Sequence, residues 1–238
     1  MPLHPTIDPA IFALRPDFIA LSLSCENAAN TASDAASAAC LAEAVARHDA
    51  APWAEAHLDA WRDAYRAFGA KPKRTACSAE ALRKRAVRDG ALPLLNAVVD
   101  LYNAVSLRFA IPVGGEDAAQ YRGTPQLCMA SGTEPFRTTA DGQPVVETPE
   151  AGEVIWRDDA GVTCRRWNWR QGPRTQITEA TQDMWFVLER LDPMPPEALL
   201  EAGQNLITGL RRLAPDMRVS IKRFDAECPS GLTVLDVT

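Results

Sequence analysis

Histidine is scarce in this 238-residue chain: only His4, His48 and His57 occur, none beside an acidic or cysteine cluster. That argues against a metal centre, so no metal and no cofactor are expected. The cysteines (Cys25, Cys40, Cys77, Cys128, Cys164 and Cys228) contain no C-x-x-C pair, which disfavours a zinc knuckle or a disulfide framework. Free thiols in a reducing compartment are the simpler account. Neither G-x-G-x-x-G nor G-x-x-x-x-G-K-[ST] is present, and Ser131 lacks the G-x-S-x-G elbow, so dinucleotide binding, P-loop hydrolysis and the esterase nucleophile lose their usual signals. No apolar run approaches the roughly 20 residues of a membrane span. Met1 to Phe18 lacks the basic start and apolar stretch of a signal peptide, so a cytoplasmic protein without membrane contact is expected. Positive charge is also in deficit. The formal net charge of −6 opposes whole-surface attraction to nucleic acid, and no DNA partner is expected, although a local basic patch stays compatible with it.

What is present is an ordinary globular composition, 47% hydrophobic and 24% charged. Helical signals fill the first half. Thr31 to His48 is alanine-rich and opens on cap-type residues. Glu55 to Phe68 places Leu58, Trp61, Tyr65 and Phe68 on one stripe. Ser78 is positioned to cap a basic helix carrying Arg83, Lys84, Arg85 and Arg88, after the basic turn Lys71-Pro72-Lys73-Arg74. A helix through Leu95 to Val105 turns strand-like at Ser106 to Phe109. Short strands dominate afterwards, and Pro195-Pro196 opens a last helix before the alternating strand Arg218 to Phe224. The expected fold class is α+β: one domain over 1–238, with a helical N-terminal part (1–89), a mixed or antiparallel sheet core (about 90–192) and a C-terminal helix and strand (193–238).

The most unusual stretch is Cys164-Arg165-Arg166-Trp167-Asn168-Trp169-Arg170-Gln171, closed by Gly172-Pro173. Read as one strand from Val162, it places Cys164, Arg166, Asn168 and Arg170 on one face and Thr163, Arg165, Trp167 and Trp169 on the other. Arginine forks suit carboxylate or phosphate, and indoles suit stacking, so this strand is expected to line a site for an anionic or aromatic ligand. Flanking arginines would also lower the Cys164 thiol, although no histidine stands near it to complete a nucleophilic pair.

The ordered set Asn96 to Arg108, Ile111-Pro112-Val113-Gly114-Gly115-Glu116-Asp117, Gly152 to Asp158 and the Arg-Arg-Trp-Asn-Trp-Arg strand resembles the freestanding B3/B4-domain proteins. These are relatives of the B3/B4 module in the β subunit of bacterial phenylalanyl-tRNA synthetase. The resemblance implies a single B3/B4-like domain and an editing-type activity that hydrolyses misacylated aminoacyl-tRNA in trans. A tRNA or aminoacyl-tRNA 3′ end is then the expected partner, and a small amino-acid-like ligand is a further possibility. The alternative is a non-catalytic module for RNA, an amino acid or a small metabolite. One departure matters. The synthetase loop reads Pro-Leu-His-Ala-Phe-Asp, and here Gly114 stands at the histidine position. Glu153, Asn168 and Thr175 are therefore the expected catalytic residues, with Glu116 and Asp158 as further acids. Asn103, Ser106, Gly114, Gly115, Arg166, Trp167, Trp169 and Arg170 are expected to bind substrate.

Overall fold

The computed structural model describes residues 2–234; the ends of the expected 1–238 domain, Met1 and 235–238, lie outside the described residues. In chain order the elements are β1 (Thr6–Ile7), α1 (Pro9–Leu14), β2 (Ile19–Glu26), α2 (Ala35–Ala46), α3 (Ala54–Ala67), α4 (Ser78–Asp89) and α5 (Ala97–Phe109). There follow β3 (Val113–Asp117), β4 (Gln126–Met129), β5 (Phe136–Ala140), β6 (Gln143–Glu147), β7 (Val154–Asp158), β8 (Gly161–Arg165) and β9 (Arg170–Gln171). The chain closes with β10 (Met184–Arg190), α6 (Pro196–Leu213), β11 (Arg218–Phe224) and β12 (Leu232–Thr233). The fold class is α+β.

Two five-stranded sheets organise these elements, in the orders β1-β4-β7-β8-β9 and β12-β11-β2-β10-β3. In the second sheet β10 lies antiparallel between β2 and β3, and all seven of its residues are buried. One face of that sheet carries Leu21, Leu23, Phe186 and Leu188, which pack on Val98, Leu101, Leu206 and Leu210 of α5 and α6. Helix α6 comes so close to β2 that a Cβ at Gly203 would lie 2.5 Å from Leu21 Cδ2. The opposite face meets the first sheet and α3 through Trp61, Tyr65, Trp156, Trp167 and Trp185. Burying several aromatics at ~25 cal/mol per Å² of apolar surface makes this junction a major source of stability.

Helix starts follow local chemistry. Asp34 accepts from Ser37 N, and the Ser37 hydroxyl accepts from Asp34 N, which closes a capping box on α2. Asn96 caps α5 by accepting from Val99 N. Three expectations are corrected. Ser106 to Phe109 stays helical, because the Ser106 hydroxyl donates to Ile111 O and Ala110 ends the helix at φ 51°. Ser78 does not cap α4; it is the first helical residue, after Cys77. The strand through Val162 to Arg170 breaks after Arg165, where Arg166 and Trp167 take φ values of 47° and 67° before β9 resumes. Two consecutive left-handed residues destroy the two-residue alternation. They also drive the Trp167 indole into the core, where it is fully buried.

Candidate functional site

The break in that strand builds the site. With Arg166 and Trp167 left-handed, Trp167 N donates to Val154 O at 2.6 Å and Trp169 N to Arg165 O at 3.1 Å. The turn then sends its side chains in two directions. Arg165 goes to one side and closes a fork on Glu153: Nε to Oε1 at 2.9 Å and a terminal nitrogen to Oε2 at 2.7 Å. Arg166 N adds a third donor to Glu153 at 3.1 Å. Trp167 and Asn168 go to the other side, towards Glu189 on β10. The Trp156 and Trp167 indoles donate to Glu189 Oε1 at 3.2 and 3.0 Å, and Asn168 Nδ2 donates to Oε2 at 2.9 Å. Tyr65 fixes Asn168 from behind, its hydroxyl donating to Oδ1 at 2.8 Å.

Glu189 faces a cavity of about 360 Å³, bounded by α4, α5, the edge strand β3, β10 and the turn after β8. Helix α4 contributes Ser78, Ala81, Leu82 and Arg85, the i, i+3, i+4, i+7 stripe of one face. Helix α5 contributes Tyr102, Asn103 and Ser106, and β3 contributes Gly114, Gly115 and Glu116. In the β3–β10 register Gly114 faces Val187 and Glu116 faces Trp185, so Glu116 and Glu189 share a sheet face and flank the Gly114–Val187 pair. A Cβ at Gly114 would stand 3.2 Å from Val187 Cγ1, tighter than an ordinary contact, so the glycine lets Val187 pack close to β3 between the two acids.

Neither acid has a cationic partner within ion-pair distance among the described residues. Burial pushes the Glu189 carboxyl up to about 8, against the pull of its three neutral donors. Burial likewise raises Glu116 to about 7, opposed by Thr175, by Tyr121, whose hydroxyl donates to Oε2 at 2.7 Å, and by the charge of Arg174. Burial also holds the Cys164 thiol well above its ordinary value, which reverses the lowering expected from its arginine neighbours. Arg165 and Arg166 serve Glu153 instead.

The expected binding residues Asn103, Ser106, Gly114, Gly115, Trp167 and Trp169 all line this cavity, as does Asn168. Four others do not. Glu153 is sealed by Arg165 and borders a separate hollow with Arg166, because the left-handed turn points both away from β10. Arg166 lies 4.3 Å over the Trp169 ring. Arg170 donates to Thr139 O on the β5–β6 hairpin and faces Glu147. Thr175 is buried against Glu116, outside the cavity wall. Asp158 accepts from Arg122 N, Ala160 N and Arg174, which makes it the anchor of its turn. Asn168 is spent at both amide ends and orients Glu189. Asn103 forms no side-chain hydrogen bond among the described residues, and the buried Ser78 hydroxyl in the same wall has no partner either, so both are neutral polar groups left for a ligand.

No histidine lines the cavity. His57 Nε2 accepts from Trp61 and from Leu191 N, so Nδ1 carries the proton towards Ala110 O, and burial lowers the ring to about 4. Sequence reasoning missed Glu189, Trp156, Tyr102 and Gln171. For Glu189 the available signal was an acid at the end of the apolar run Met184 to Leu188, where a buried charge has no obvious reason to be.

The sequence matches the model of the B3/4 domain family. The family model covers residues 60–199, and the chain belongs to that family. The fold is similar to that of an N-terminal fragment of the phenylalanyl-tRNA synthetase β-subunit from Pyrococcus horikoshii, with a TM-score of 0.51 and 10% identity. The match covers 99% of this chain and 57% of that one, so this chain spans little more than half of the fragment's length. No curated protein matches the sequence. No described helix is long and apolar enough to cross a membrane, and no described His, Cys, Asp and Glu side chains cluster as a metal site.

Proposed function

We propose that the protein receives the aminoacylated 3′ end of a tRNA in this cavity and hydrolyses a misattached aminoacyl ester in trans. The observation that carries the reading is Glu116: an acid in the cavity wall, raised to about 7 by burial. A general base works best near the ambient pH. In its ionised form Glu116 takes a proton from a water, and the resulting hydroxide attacks the ester carbonyl carbon. The carbonyl–oxygen bond to the ribose breaks, the ribose oxygen is protonated, and free amino acid and tRNA leave. Asn103 is the neutral donor for the carbonyl oxygen. The base stands two residues after Gly114, so it replaces rather than imitates the histidine of the synthetase loop.

Charge outside the cavity supports a nucleic-acid partner. The other side of α4 borders a hollow of about 670 Å³ lined by Arg62, Arg66, Lys71, Lys73, Arg74 and Lys84. Lys71, Lys73 and Arg74 are exposed and have no acidic partner within ion-pair distance among the described residues. A −6 chain that concentrates unpaired cations on one face beside its pocket has the electrostatics of a phosphate-backbone contact. Helix α4 borders both surfaces, with Ser78, Ala81, Leu82 and Arg85 on the cavity and Glu80 and Lys84 on the hollow.

Deacylation of a panel of correctly and wrongly charged tRNAs, tyrosine on the phenylalanine tRNA included, tests the reading. Wild-type protein is expected to release amino acid from at least one mischarged species, and Glu116→Gln to lose at least a hundredfold of that rate. The second reading, a module that binds without turnover, draws on Gly114. It prevails if charged tRNA binds and no ester is cleaved.

A further inference from the structure

Base and oxyanion donor leave Glu189 without a task, although more contacts converge on it than on any other acid of the cavity. We infer that the cavity recognises its ligand through a protonated amine, seated on Glu189 at the floor. The inference rests on the cavity being the ligand site proposed above, and it names the chemistry of that ligand.

The carboxyl is oriented without being neutralised. Indole N–H groups can only donate, so Trp156 and Trp167 fix Oε1 as an acceptor, and Asn168 fixes Oε2 in the same sense. Three neutral donors hold the acid in one rotamer and leave its charge unmatched. Oε2 has a single partner and retains capacity for a further donor. A buried carboxylate without a counter-ion costs several kcal/mol, as an order of magnitude, unless a cation arrives or the group takes a proton. Contrast the acids elsewhere: Glu153 has Arg165, Asp158 has Arg174 and Glu80 has Arg62 and Lys84. Asp100 and Asp117 are also buried without a cation, but each is held by a backbone N–H and a hydroxyl and neither lines this cavity, whereas Glu189 faces it.

The walls agree. Trp156, Trp167 and Trp169 line the same cavity, and an indole face, unlike its edge, attracts a cation, as Arg166 over Trp169 already does. Glu116 adds a second acid on the same sheet face, beyond the Gly114–Val187 pair. Arg85 is the one basic side chain in the lining, and it sits half exposed on α4 while Glu189 is almost fully buried. The cavity is therefore polarised along its depth, cation at the mouth and acids at the floor. A ligand carrying an amine at one end and a phosphate at the other fits that polarity. An aminoacyl nucleotide end has this pattern; a free carboxylate or a neutral metabolite does not.

The test uses paired probes: a panel of L-amino acid amides, each beside the acyl amide lacking only the α-amine, measured by calorimetry against the full-length protein. At least one amide is expected to bind, with its des-amino partner weaker by ten- to a hundredfold, the range of roughly one hydrogen bond to a charged group. Glu189→Gln should erase that difference while the des-amino compound binds as before. Binding of des-amino compounds as tight as that of their amines overturns the inference, and so does a panel with no binder. The wild-type comparison decides the matter even if the variant fails to fold. Failure of the two proposals is separable. If N-acetylated and free aminoacyl-tRNA are hydrolysed at equal rates, the deacylase stands and amine recognition falls. If amides bind and no tRNA is cleaved, the reverse holds.

Discussion

Two buried glutamates hang on opposite sides of the same turn, and their treatment differs. Glu153 is clamped by both arms of Arg165 and by Arg166 N, a satisfied ion pair 4% exposed that faces away from β10. Glu189 is as deeply buried and receives as many donors, all of them uncharged. The first arrangement fixes the β7–β8 end of the sheet. The second keeps an unmatched acid facing a cavity. Residues 165 to 168 divide between them: the arginines go to Glu153, against the ligand role expected of Arg166, while Trp167 and Asn168 line the cavity as expected. Buried charge by itself does not mark function, since Asp100 is fully buried on neutral donors within the scaffold; an unneutralised acid that also faces a cavity is the better pointer.

The largest effect should come from breaking the structural half. Arg165→Ala leaves Glu153 with only the longer Arg166 pair and is expected to cost about 3–5 kcal/mol in urea unfolding. Asn168→Ala attacks the other half: it removes one donor from Glu189 and the acceptor of the Tyr65 hydroxyl, at about 1–3 kcal/mol, with loss of ligand binding. Gly115→Ala drives a Cβ to 2.9 Å from Tyr102 and should cost about 1–3 kcal/mol while narrowing the cavity. Glu189→Gln sharpens the contrast through pH. The folded-state value of Glu189, about 8, lies above the ordinary 4.5, so the stability tied to its proton is complete below about 4.5 and is lost as pH rises through 8. The variant should therefore gain on wild type in melting temperature between pH 5 and pH 9. A flat difference across that range would count against the burial argument. The smallest stability change, within about 0.5 kcal/mol, is expected from Lys71→Ala, Lys73→Ala and Arg74→Ala combined. The same triple variant should flatten the salt dependence of tRNA binding in a filter assay.

Much of the scaffold could be read in advance. Leu58, Trp61 and Tyr65 mark α3 by spacing alone and are buried as that stripe requires. Pro196 opens α6, and β11 is a strand as expected, although its burial does not alternate: Ile221 and Phe224, three residues apart, pack on opposite faces of the sheet. The turn at Arg166 could not be read, because Arg-Arg-Trp-Asn contains no glycine or proline to announce two left-handed residues. That geometry is imposed from a distance, by the bond from Trp167 N to Val154 O and the indole's reach to Glu189. The motif order led to the cavity walls at Asn103, Ser106, Gly114 and Gly115. It also led to Glu153, since sequence proximity to arginine looks the same for a clamp as for a site. The apolar run Met184 to Leu188 hints that Glu189 is buried, but its place on one sheet face with Glu116 comes only with the register of β10 against β3, which no local pattern encodes.

The account stands on Glu189 being a buried acid that the protein leaves uncompensated. Carbon-13 NMR of side-chain carboxyls in glutamate-labelled protein, titrated from pH 4 to 10 and assigned with Glu189→Gln, measures this directly. The expected result is a Glu189 resonance with a midpoint near 8 in the free protein. A midpoint in the ordinary carboxylate range would mean that the three donors already satisfy the charge, and the amine would lose its seat.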